Sequence, residues 1–169
     1  MLKPQDIVVL LKVHNRRNCD WTYSQLASSL YMSSSEVHAA LKRCEASGLY
    51  YGSSRRILKQ SLLEFLIHGL KYVFNVQPGP LSRGIPTAHS AEPLKNLLVV
   101  DAADTYVWPY PDGTVRGQTI TPLYKSVPAA AIIDPELHQL LSLIDAIRVG
   151  RTREQRMAST ELEQRLFTP

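Results

Sequence analysis

The strongest constraint on the fold is a pair of helix-start signals packed into one short stretch, Thr22-Tyr23-Ser24-Gln25 and Ser33-Ser34-Ser35-Glu36. Each has the form of a capping box, in which the first hydroxyl accepts from the amide of the fourth residue and that residue's side chain reaches back. Trp21 with Leu26, and Met32 with Val37, stand at the positions of hydrophobic staples. The first box predicts a helix ending near Leu30. The second predicts one that starts almost at once and is closed by Gly48, a residue able to take positive φ. Two short helices, separately capped and so tightly joined, cannot lie antiparallel. They must cross steeply, as a helix-turn-helix between Trp21 and Gly48.

At about 100° per residue, Val37, Ala40, Leu41 and Cys44 fall on one face of the second of these helices. Ser35, His38, Ala39, Lys42, Arg43 and Ala46 fall on the other. Any solvated helix face can look like this. Small side chains also let a backbone approach base edges, where hydroxyls and imidazole hydrogen-bond and Lys or Arg reaches guanine or phosphate. The paired caps favour that second reading, so Ser34, Ser35, His38, Ala39, Lys42 and Arg43 are the candidate contacts to double-stranded DNA.

Through Thr22 to Ala27, Ser33 to Ser47 and Gly48-Leu49-Tyr50-Tyr51, residues 4 to 75 resemble the bacterial winged helix-turn-helix regulators, MarR-like ones in particular. The resemblance implies DNA binding by a dimer and often transcriptional repression. It departs at the wing, because only Gly52-Ser53-Ser54-Arg55-Arg56 separates Tyr51 from the next helical pattern. From the resemblance, Arg55 and Arg56 are carried over as phosphate contacts.

Before this unit, Pro4 and Asp6 suit a helix start, and Ile7, Val8, Leu10 and Leu11 give that helix an apolar face as far as His14. After it, Ile57 to Phe74 is apolar on more than one stripe and must be buried on two sides. Either the C-terminal half or a partner subunit can cover the second side, and a homodimer through this helix is the expectation. Asn75 to Pro93, broken by Pro78, Pro80, Pro86 and Pro93, reads as an extended crossing segment. Its Ser82, Arg83, His89 and Ser90 form no recognisable nucleophile elbow or phosphate loop.

Thr105 to Trp108 and Thr114 to Ile120 read as strands about the turn Pro109 to Gly113. Asp101 and Asp104 read as loop carboxylates. Asp134-Pro135-Glu136 starts a helix with its stripe at Leu137, Leu140, Leu141, Ile144 and Ile147. Thr152 to Leu166 forms an Arg-rich last helix, read as a solvated tail or dimer arm. The predicted organisation is a mainly α protein with a small β element. It comprises a winged helix-turn-helix domain (1–75), a proline-rich segment with the β element (76–133) and C-terminal helices (134–169).

The 44% apolar and 20% charged content is that of a folded globular chain, and the net charge of +4 suits a polyanionic partner without proving one. No export signal is legible at the N-terminus and the most apolar run carries Lys59, Glu64 and Lys71, so a cytoplasmic protein without membrane contact is expected. Two distant cysteines signal neither disulfide nor zinc, and no nucleophile, base and stabiliser converge. The expectation is therefore a non-enzymatic regulator without cofactor, acting as a homodimer on an inverted repeat and open to a protein or small-molecule effector. The competing expectation is a winged-helix interaction module, antitoxin-like or an assembly adaptor.

Overall fold

The computed structural model describes residues 1–169. The chain is mostly helical with two small β elements. Helix α1 (Pro4–Asn15) is its axis: Ile7, Val8, Val9, Leu10 and Leu11 are all fully buried, so the helix is covered on every side and not along one stripe. Against it pack α2 (Tyr23–Leu30) and α3 (Ser34–Ala46), followed by a short antiparallel hairpin of β1 (Tyr50–Tyr51) and β2 (Arg56–Ile57). Gly48 has φ +72°, as its place at the end of α3 requires.

Helix α4 (Lys59–Glu64) continues through a π turn (Phe65–Gly69) into α5 (Leu70–Val73). Gly69 allows that turn, since a Cβ there would lie 2.9 Å from the Phe65 ring. Leu62, Leu63, Leu66 and Leu70 are buried within the chain itself, with α9 (Thr152–Phe167) over α4 and α8 (Pro135–Val149) over α5. The second apolar side of this helix thus belongs to the C-terminal half, and the case for a dimer through it loses its premise. Nor is α9 a solvated tail: Ala158, Leu162 and Leu166 are fully buried, and Arg165 is engaged by Glu161 and Gln139.

The proline-rich segment holds a strand, β3 (Leu81–Pro86). It pairs antiparallel with both β4 (Tyr106–Pro109) and β5 (Val115–Thr119), which pair parallel with each other, so the three strands close on themselves. The expected simple return of one strand on the other about Pro109–Gly113 is therefore absent. Closure requires glycine: a Cβ on Gly84 would meet the Trp108 carbonyl oxygen at 1.9 Å, and one on Gly117 would meet that of Thr105 at 2.5 Å. Helices α6 (Leu94–Leu97) and α7 (Val127–Ile133) complete the chain.

One continuous apolar core reaches from Ile7 to Leu166 and includes Trp108 of the β unit, so the three predicted segments share it. Two polar seams cross it. Lys12 of α1 meets Asp134, the residue whose side chain caps α8 by accepting from the Leu137 amide at 3.0 Å. The fully buried Asp145 accepts from Thr87 (2.7 Å), Trp108 Nε1 (2.6 Å) and Arg148 (2.8 Å), and Arg148 also donates to the Phe74 carbonyl. Burial pushes the Asp145 carboxyl above its ordinary value, against Arg148 and the hydrogen bonds, which pull it down. No helix is long and apolar enough to cross a membrane.

Candidate nucleic-acid interface

The interface is built from local capping upward. Thr22 Oγ1 accepts from the Gln25 amide at 3.1 Å while Gln25 accepts in return from the Thr22 amide at 3.0 Å, so the first capping box is complete. Tyr31 ends α2 with a left-handed φ of 53°, and the Met32 amide reaches the Ala27 carbonyl at 3.0 Å. That one-residue reversal delivers the chain to Ser33, whose Oγ accepts from the Glu36 amide at 3.1 Å. The second box is only half formed. Glu36 turns to Gln5 and Arg43 instead of its own N-cap, and hydrogen bonds from these two, Gln5 first, hold its carboxyl below the ordinary value.

Helix α3 buries Val37, Ala40, Leu41 and Cys44, as its periodicity predicts, and exposes Ser34, Ser35, His38, Lys42 and Ala46, with Ala39 half-buried. Arg43 departs from the predicted outer face. Its Nε and Nη2 bind both oxygens of the fully buried Asp6 at 2.7–3.1 Å, and Nη2 also meets Glu36 at 3.0 Å, leaving the side chain 19% exposed. A carboxylate inside a helical core is costly unless paired, and Arg43 is the partner within reach. It joins α3 to α1 and is unavailable to DNA.

Arg55, by contrast, is held at the hairpin turn but stays exposed. It sits at a left-handed φ of 52°, donates to the Trp21 carbonyl at 3.0 Å and lies 4.6 Å from the Trp21 ring centre. From there an edge-to-face aromatic row runs Trp21 to Tyr23 (5.8 Å) to His38 (5.3 Å). The hairpin turn, the start of α2 and the outer face of α3 are thereby locked together. Glu45 adds a second tie by accepting from the Gly52 amide at 2.9 Å; a Cβ on Gly52 would lie 2.6 Å from that oxygen. A shallow cavity of about 200 Å³ lies between α3 and the hairpin, lined by Tyr23, His38, Lys42 and Ser53 among others.

Arg56, the remaining predicted contact, is exposed on β2 without an ion pair. It lines a larger cleft of about 610 Å³ with Arg17, Lys59 and His14. Burial, then Arg17 and Lys59, press the His14 pKa down to about 4, so the ring stays neutral beside those cations. Its Nε2 meets the Arg165 carbonyl at 3.1 Å. Arg17 and Lys59 carry no signal in the sequence, because their convergence on Arg56 depends on how α1 and α4 pack. Tyr23, legible in the sequence only as part of a cap, orients His38.

The structure thus leaves Ser34, Ser35, His38 and Lys42 exposed on one face of α3 and Arg55 and Arg56 exposed on the hairpin, and it withdraws Arg43 into its ion pairs. Comparison with protein families, curated proteins and solved structures finds no match to this chain.

Proposed function

We propose that the chain is a sequence-specific double-stranded DNA-binding regulator of winged helix-turn-helix type, with α3 as the recognition helix and the β1–β2 hairpin as a short wing. The observation that carries this reading is the outer face of α3. Ser34, Ser35, His38 and Lys42 stand free of the core on a helix capped at both ends and braced by α2 and the hairpin. Short polar side chains on a braced helix suit direct readout in the major groove. Arg56, Arg17 and Lys59 supply a cationic rim for phosphates, the part of such an interface that provides affinity without sequence information.

A single helix of this kind contacts only a few base pairs, so the functional form is a homodimer on an inverted repeat, acting most simply as a repressor. With Leu66 and Leu70 buried in the chain's own core, the dimer contact lies elsewhere on the surface. Selection from a random duplex pool followed by footprinting tests the reading. An enriched palindrome protected at micromolar protein or below is expected, and recovery of unenriched sequence would refute it.

A further inference from the structure

Away from α3, a cavity of about 170 Å³ opens where the loop after α6 meets the start of α9. It is below the ~300 Å³ at which drug-sized sites begin, so only a small occupant fits. Two buried acceptors in its lining have no partner. His89, 6% exposed, uses Nε2 to donate to the Asp104 carbonyl at 2.6 Å, and its Nδ1 has no hydrogen-bond partner. Glu154 Oε2 is buried and equally unpaired. An orphaned buried acceptor costs ~1–3 kcal/mol, and both residues line this cavity.

The rim carries the complementary charge. Arg151 and Arg153 line the same cavity and form no ion pair with Asp101, Asp104 or Glu154 beside them. Leu98 and Val149 supply an aliphatic wall, and the Tyr106 ring lies against His89 at 4.8 Å between centroids, the two planes inclined at 55°. Burial first, then Asp104 and Glu154 against Arg151, raise the Tyr106 phenol, so it stays a neutral donor amid both signs of charge.

We propose that this cavity binds a small zwitterionic α-amino acid with an aliphatic side chain. Its ammonium group donates to His89 Nδ1 and Glu154 Oε2, its carboxylate meets Arg151 and Arg153, and its side chain lies against Leu98 and Val149. Neither an amine nor an acid alone satisfies both sets of groups.

Isothermal titration of the full chain with L-leucine and L-valine tests this, with isoamylamine (leucine without its carboxylate) and isocaproate (leucine without its ammonium) as comparisons. At least one amino acid should bind, and each truncated analogue of leucine should bind at least ~tenfold more weakly than leucine itself. Glu154→Gln, nearly isosteric, should weaken the amino acid at least ~tenfold and spare isocaproate. Arg151→Gln with Arg153→Gln, both exposed, should weaken it similarly and spare isoamylamine. No heat from either amino acid at millimolar concentration, or isoamylamine binding as tightly as leucine, would overturn the proposal. The wild-type comparison decides this even where a variant melts.

Discussion

The Asp6 carboxylate, fully buried at the start of α1, accepts three hydrogen bonds from Arg43 of α3 and a fourth, at 2.8 Å, from the backbone amide of Lys3. Two adjacent basic residues of α3 therefore have opposite duties: Arg43 faces the core, while Lys42 stands 67% exposed beside Glu45 at 3.6 Å. Arg43→Ala should lower stability by about 3 kcal/mol, because it leaves a buried charge unpaired. Lys42→Ala should leave the melting temperature unchanged within error and weaken DNA binding. Equal melting temperatures for the two variants would contradict the pairing.

His14 makes stability depend on pH. Its folded pKa of about 4 lies below the ordinary 6.5, so between these values the unfolded chain binds more protons than the folded one. The neutral ring's contribution is whole above pH ~6.5 and drains away as pH falls towards ~4, by up to about 3 kcal/mol. Urea melts across that interval should show this loss, and His14→Gln should flatten it. A wild-type curve level from neutrality to pH ~4 would count against the burial of His14.

The two cysteines should separate cleanly. Cys19 is exposed, whereas Cys44 is buried in α3 with its thiol pushed up to about 12 by burial and then by Asp6. Under native conditions at neutral pH a thiol reagent should modify one site, Cys19, with Cys44 reacting only in denaturant. Rapid native labelling of Cys44 would show that α3 is not seated as described.

Trp108 and Asp145 join the three-stranded β unit to α8. Trp108→Phe keeps an aromatic ring in place but removes a donor from a buried carboxylate, and should cost about 1–3 kcal/mol. Thr87→Val removes another donor and should act through the same group. A double-mutant cycle of the two should be non-additive by at least ~0.5 kcal/mol. Simple additivity would mean that Asp145 does not couple them.

What was legible in the sequence was local. Thr22, Gln25, Ser33 and Gly48 act within a few residues of themselves, so the helix boundaries and the buried stripe of α3 could be read directly. Arg43 could not be told from Lys42, since its orientation is decided by Asp6, a residue of another helix. The same limit hid the cover over Leu66 and Leu70, which comes from α8 and α9, and the closure of β3, β4 and β5, which rests on Gly84 and Gly117 meeting carbonyls distant in sequence. The prolines of the middle segment disguised β3 as plain extended chain. His89, Asp104 and Glu154 carry no shared signal along the chain, because only the packing of α9 over the loop brings them together.

The decisive measurement is the affinity of wild type and of the His38→Ala, Lys42→Ala double variant for a duplex selected by the wild-type protein, read by fluorescence anisotropy over a range of salt. Both substitutions lie on the exposed face of α3, outside the apolar core. DNA readout by α3 requires that the variant lose most of its preference for the selected sequence over a scrambled one. Without the Lys42 ammonium on a phosphate, the slope of log affinity against log salt should shrink by ~0.9. A variant that discriminates the two duplexes as wild type does, with an unchanged slope, would show that α3 does not read DNA.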